Sequence, residues 1–240
     1  MNADTNAPTL AFDVYGTLID TAGTTAALAR HLGDAAAAPA FAEEWRRKQL
    51  EYTFRRAAMR DYRDFRACTR QALDYCCEFL RADLPAAARE ELMAQYLHLP
   101  AFADAAAGLE KLSRAQMRMF AFSNGHPDDL KPLLKNAGIH DYFAGIVSVH
   151  AAASFKPDPA VYQHFLKCAD APAENCWLIS GNPFDICGAR AAGMHAAWLR
   201  RNPRVAFDPW EPQFAPEFEA ADFSELAEFL LGKAAPRGMR

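Results

Sequence analysis

Short apolar runs, each stopping at a small polar turn, constrain this chain more than any other feature. Thr9 to Phe12 is such a run and stops at Asp13, with Gly16-Thr17 just beyond. Met117 to Phe122 stops at Ser123-Asn124-Gly125, and Ile146 to Val149 follows a turn at Gly145. Cys176 to Ile179 stops at Ser180-Gly181-Asn182, and His195 to Leu199 stops at Arg200-Arg201. Runs of this length bounded by turn residues read as buried strands. Between them lie helix-like stretches: Asp129 to Ala137 closed by Gly138, Pro159 to Cys168, and Asp185 to Ala192 closed by Gly193. Both glycines stand where helix C-caps place them. Strands alternating with helices predict an α/β fold around a doubly wound parallel sheet.

One interval breaks the alternation. From about Thr21 to Leu99 the chain is rich in Ala, Leu, Arg and Glu and holds no convincing strand. Trp45, Gln49 and Tyr52 share one helical face, and Arg46, Leu50 and Phe54 share the next. The expected organisation is an α/β core of residues 1–20 and 100–240, with a helical subdomain, 21–99, inserted after the first strand. The 240 residues, at roughly 150 per domain, make about 1.6 domains, which suits that arrangement. After Asn202, the residues Pro203, Pro209, Pro212 and Pro216 predict an irregular excursion before a final helix near Ser224 to Leu231.

Composition excludes several classes. With 51% hydrophobic residues and a net charge of only −4, the chain is not a disordered one, and it lacks the basic balance of a nucleic-acid binder. Met1 to Pro8 has neither the basic nor the apolar region of a leader. No apolar run approaches the roughly 18 residues of a membrane span. The six cysteines, Cys68, Cys76, Cys77, Cys168, Cys176 and Cys187, form no C-x-x-C pair. They read as reduced thiols, and the expected location is the cytoplasm. The seven histidines lack H-x-x-x-H spacing, so no zinc site is expected.

In a doubly wound sheet, ligands bind at the carboxyl ends of the strands. Asp13, Ser123, Asn124, Ser180, Asn182 and Asp185 all fall there, and Lys156 lies in the loop Ser154 to Pro159. Each has a structural reading beside the chemical one. Ser123-Asn124-Gly125 is a good turn in its own right, Asp185 can cap a helix, and Lys156 and Arg46 can be surface residues. His126 and His150 sit close by without a chemical role.

The segments Phe12-Asp13-Val14-Tyr15-Gly16-Thr17-Leu18, Ser123-Asn124-Gly125, Lys156-Pro157 and Ser180-Gly181-Asn182-Pro183-Phe184-Asp185 together resemble the motifs of the haloacid dehalogenase superfamily. The resemblance spans nearly the whole chain and implies a Rossmann-like core with a helical cap. Most members resemble magnesium phosphatases, which carry a second Asp two residues after the nucleophile and an acid beside the final strand. Tyr15 and Asn182 stand at those positions here. A phenol with a reference pKa of about 10 is a poor acid at neutral pH, and an amide is a weak ligand for Mg²⁺. Both departures match the metal-independent branch, the L-2-haloacid dehalogenases, as does Trp45-Arg46-Arg47-Lys48-Gln49-Leu50-Glu51-Tyr52.

The resemblance to that branch implies a hydrolase that turns short 2-haloalkanoic acids, the (S) enantiomers, into 2-hydroxy acids and halide. It implies no metal, no cofactor, and a homodimer. Asp13 is implied as the nucleophile that forms an aspartyl ester, with Lys156 offsetting the Asp13 and Asp185 charges. Ser123 is implied as the holder of the substrate carboxylate, and Arg46, helped by Asn124, as the group that receives the halide. Thr17, Ser180, Asn182 and Asp185 are implied in ester hydrolysis, with Asp185 activating water. Tyr162 also matches the pattern, and Tyr15, Leu50, Phe65 and Phe184 are implied as pocket walls. Phe184 stands where Trp is common, and Arg47 where a neutral polar residue is common. Open beside this reading are fluoroacetate or azetidine-2-carboxylate as substrate, a Mg²⁺-dependent phosphatase, and a non-catalytic carboxylate-binding protein.

Overall fold

The sheet of the computed structural model has six parallel strands: β1 (Thr9–Phe12), β2 (Arg118–Ser123), β3 (Gly145–Ser148), β4 (Cys176–Ser180), β5 (His195–Leu199) and β6 (Phe218–Ala220). The structure describes residues 8–208 and 211–234. Residues 1–7, on which the expectation about a leader mostly rests, and Pro209 lie outside it. The strand order is β3-β2-β1-β4-β5-β6. The chain therefore builds outward from β1 in one direction, then returns to its other side, which makes the end of β1 the switch point. β1 and β4 are buried along their whole length, as strands covered on both faces must be. Five strands coincide with the apolar runs to within a residue or so. The sixth, β6, lies inside the Pro-rich stretch, which thus holds a short edge strand as well as irregular chain.

Between β1 and β2 run four helices, α1 (Thr24–His31), α2 (Ala38–Met59), α3 (Phe65–Phe79) and α4 (Ala86–Gln95). Outside that segment come α5 (Ala105–Arg114), α6 (Pro127–Asn136), α7 (Pro159–Ala169), α8 (Pro183–Ala191) and α9 (Phe223–Ala234). The starts of α6 and α8 lie two residues before the expected ones because each begins with proline. Proline at the first helical position has the right φ and no N–H to leave unpaired. Gly138 and Gly193 close α6 and α8 with φ of +71° and +81°, the left-handed conformation that glycine adopts without steric cost.

The two chain passages that join the four-helix segment to the sheet run side by side. Ile19 bridges Ala101, Asp20 N donates to Pro100 O at 2.9 Å, and Phe102 N donates to Leu18 O at 2.9 Å. The turn after β1 closes through Gly16, at φ +83°, whose N donates to Ile19 O at 2.8 Å. The turn after β4 passes against it so closely that a Cβ on Gly181 would lie 2.5 Å from Gly16 O. Among the described residues no helix is long and apolar enough to cross a membrane, and all six cysteines are free.

Candidate active site

Asp13 follows β1 directly, and its N still donates to Ile179 O of β4 at 2.9 Å. Its Oδ2 accepts from Thr17 Oγ1 at 2.7 Å, Asn182 Nδ2 at 2.7 Å and Ser180 Oγ at 3.3 Å. Its Oδ1 accepts, among the described residues, from Lys156 Nζ alone, at 3.2 Å. One carboxylate oxygen is thus saturated by three donors, while the other keeps a lone pair uncommitted.

Lys156 is buried, and its ammonium spends its three hydrogens on Asp13 Oδ1, on Asp185 Oδ2 at 2.8 Å and on Phe122 O at 2.9 Å. The Phe122 ring lies 4.1 Å from the same nitrogen. Asp185 is fully buried, and its other oxygen accepts from Tyr162 OH at 2.7 Å. Burial pushes the Asp185 carboxyl above its ordinary range; Lys156 opposes that shift and the Asp13 charge adds to it. Burial and the Asp185 charge hold the Tyr162 phenol well above its ordinary value, so it stays a donor. The space that Tyr162 needs comes from Gly188 of α8, where a Cβ would collide with the phenol oxygen and ring. Gly188→Ala is expected to cost about 1–3 kcal/mol of stability, read from the midpoint of urea unfolding.

Above this buried layer is a cavity of about 10 Å³, room for about one water. Its polar lining is Asp13, Ser123, Asn124, Lys156 and Asn182, with Arg46 reaching in from α2; Tyr15, Leu50, Phe65 and Phe184 complete it. All the side chains singled out in the sequence come together here. Thr17, Tyr162, Ser180 and Asp185 are in the layer beneath, and the rest line the cavity. Phe184 packs edge-on against Phe54, with ring centroids 5.0 Å apart.

Three donors in this lining are uncommitted. Arg46 donates through Nη1 to Gln49 Oε1 at 2.6 Å and through Nη2 to Tyr15 O at 3.2 Å, and among the described residues no carboxylate pairs with it. Asn124 accepts from Lys156 N at 3.0 Å through Oδ1, which leaves its amide hydrogens for the cavity. Ser123 Oγ accepts from Gly125 N at 3.1 Å, and among the described residues no acceptor takes its hydroxyl hydrogen. A guanidinium, an amide and a hydroxyl with hydrogens to spare make a site for a small anion.

Gln49 gained no role from the sequence, yet it orients Arg46. Its Nε2 donates to Thr69 Oγ1 at 2.6 Å, and Thr69 O accepts from Trp45 Nε1 at 2.8 Å, so α2 and α3 lock together beneath the guanidinium. Its place three residues after Arg46, one helical turn along, was the available signal. The Phe122 carbonyl that holds Lys156 carries no such signal, because any residue supplies one.

Magnesium does not fit these residues. Asn182 Nδ2 donates both to Asp13 Oδ2 and to Tyr15 O, the latter at 3.1 Å, so N–H groups already point at the oxygens a hard cation would need. Burial also pushes the Tyr15 phenol above its ordinary value, which removes it as an acid.

The family profile described as haloacid dehalogenase-like hydrolase matches residues 7–193. The chain belongs to this family. Among haloacid dehalogenase-like relatives, the (S)-2-haloacid dehalogenase of Pseudomonas sp. (strain YL) is 32% identical over 94% of this chain and 96% of its own length. Haloacetate dehalogenase H-2 of Moraxella sp. (strain B) is 31% identical over 80% of this chain and 85% of its own. In three dimensions the chain resembles L-2-haloacid dehalogenase from Xanthobacter autotrophicus with chloropropionic acid covalently bound. That comparison has a TM-score of 0.84 and 29% identity, covering 94% of this chain and 99% of the other.

Proposed function

We propose that the protein hydrolyses short (S)-2-haloalkanoic acids to 2-hydroxy acids and halide, without a metal or cofactor. The observation that carries this reading is the set of uncommitted donors, Arg46, Asn124 and Ser123, facing a carboxylate that has one free lone pair. Ser123 and neighbouring backbone N–H groups hold the substrate carboxylate. Asp13 Oδ1 attacks Cα, the carbon–halogen bond breaks, and the halide leaves toward Arg46 and Asn124. Water then adds to the carbonyl carbon of the Asp13 ester, and its proton passes to Asp185, whose raised pKa suits a base. Cleavage of the acyl–oxygen bond regenerates the Asp13 carboxylate, the second proton of the water passes to the departing alkoxide oxygen to give the hydroxy acid, and Asp185 returns the first to solvent. Throughout, Lys156 stands between the two carboxylates, while Thr17, Ser180 and Asn182 fix Oδ2. In this reading residues 21–99 act as a cap over the core of residues 1–20 and 100–240, and the enzyme is a cytoplasmic homodimer.

The test is halide release from chloroacetate and 2-chloropropionate with and without EDTA. Release that EDTA does not change is the expected result; no release from any short haloacid sinks the reading. A single turnover in H₂¹⁸O is expected to label Asp13 before the product, and label appearing first in the hydroxy acid means that water attacks the substrate directly. Asn182→Asp replaces a donor to Asp13 with a second carboxylate, and is expected to lower halide release by about 10²-fold without creating Mg²⁺-dependent phosphatase activity.

A further inference from the structure

The catalytic cavity, at about 10 Å³, has room for about one water, so a wall must move to admit a haloacid, and two of its walls are shared. Tyr15 and Phe65, with ring centroids 5.3 Å apart, also line a second cavity of about 290 Å³ beneath α3 and α4. Phe184 separates the catalytic cavity from another, of about 490 Å³, which is mostly apolar and includes Asp208 but, among the described residues, no Lys, Arg or His. An anion gains nothing from that side. The α3 side carries Arg66 and Arg70, one helical turn apart. Arg66 donates through Nε and Nη2 to both oxygens of Asp129 at the start of α6. The bridge ties the helical segment to the sheet domain at the residue next to Phe65. The Arg66 side chain is 59% exposed and that of Asp129 12%, so the arginine is on the solvent side of the pair. Arg70 pairs with Glu90 at 2.8 Å, and Ala94 of α4 stands exposed on the same lining.

Resting on the dehalogenase reading above, we propose that the cavity under α3 is the antechamber through which small carboxylate anions reach Asp13, with Arg66 as the residue that captures them. An arriving carboxylate exchanges with Asp129 for the Arg66 guanidinium. From Arg66 the carboxylate passes between Phe65 and Tyr15, the side chains that line both cavities. The exposed position of Arg66 confines its effect to capture, because a screened charge steers an ion without stabilising the transition state beyond the partition. Arg66 touches none of the reacting atoms, so it is a positioning residue.

Two variants test this on the full-length protein with chloroacetate. Arg66→Gln removes the charge, and Ala94→Trp plugs the antechamber from an exposed helix position. The expected result is a fall in kcat/KM of about fivefold or more for Arg66→Gln and about tenfold or more for Ala94→Trp. The single-turnover rate at saturating substrate stays within about twofold of the unaltered protein. Arg66→Lys restores most of the loss, and added NaCl lowers kcat/KM of the unaltered protein but not of Arg66→Gln. The proposal is overturned if Ala94→Trp leaves kcat/KM unchanged, or if either variant slows the single turnover as much as it lowers kcat/KM. If the unaltered protein releases no halide, the dehalogenase reading has failed separately. The antechamber is then tested by the association rate of propionate, followed by stopped-flow protein fluorescence. Slower association in both variants supports the antechamber, and equal rates overturn it.

Discussion

Asp13→Asn is expected to abolish halide release, by at least about 10⁴-fold, because an amide oxygen cannot form the ester and nothing nearby replaces it. Thr17 and Ser180 are hydroxyls already donating to Asp13, and Asp185 is fully buried beneath the cavity and forms no part of its lining. The variant also carries a folding cost. Every hydrogen bond that Asp13 makes through its side chain is one that it accepts, from Lys156 on one oxygen and from Thr17, Ser180 and Asn182 on the other. Whichever way the amide turns, its NH₂ meets a donor, at a cost of about 1–3 kcal/mol. Circular dichroism and thermal melting therefore accompany the assay: a folded protein with no turnover supports the assignment, and a folded protein with undiminished turnover refutes it.

Lys156→Met is expected to have the largest effect on stability, about 3–5 kcal/mol, since it strands two buried carboxylates without their shared cation. At about 2–4 °C per kcal/mol for a chain of this size, the melting temperature at pH 8 falls by roughly 10 °C. The loss depends on pH in a defined direction. The folded-state pKa of Asp185 is already raised by burial, even with Lys156 opposing, and removing the ammonium raises it further. A carboxyl raised in the folded state contributes its stability below its unfolded value of about 3.9, and loses it as pH climbs through the folded value. The variant is therefore expected to regain stability relative to the unaltered protein as pH falls from 8 toward 5. A deficit that is constant across that range contradicts the account. Calorimetry at both ends decides it, and halide release is expected to be lost along with the cation.

Much of this site is legible in the chain because its parts sit at strand ends, where a local change from apolar run to polar turn marks them. Asp13, Ser123, Ser180 and Asn182 are of that kind. Arg46 is different, since one arginine on an Arg-rich helix looks like its neighbours until Trp45 to Tyr52 is compared with other chains. What escapes is whatever depends on a partner far along the sequence or on the backbone. Gln49 matters through Thr69 on another helix, the Phe122 carbonyl of β2 through Lys156 from a distant loop, and Arg66 through Asp129, reached only when α3 and α6 meet. In the fold, β6 escapes because a strand of three residues among prolines shows no alternation. The helix starts shift because proline at the first position outranks the acidic residue that follows.

The paired passages at Leu18 to Asp20 and Pro100 to Phe102 have a consequence for how such a protein can change over evolutionary time. Both ends of the helical segment are fastened to each other where they leave the sheet domain, so the segment hangs from a closed neck. Lengthening or exchanging what hangs there alters loop-closure entropy only logarithmically and leaves the register of β1 against β2 and β4 untouched. Asp13, Lys156 and Asp185 belong to the sheet side of the neck, while Arg46, Leu50 and Phe65 belong to the hanging side. The two sides of the cavity lining are thus heritable as separate parcels, free to diverge at different rates within one polypeptide.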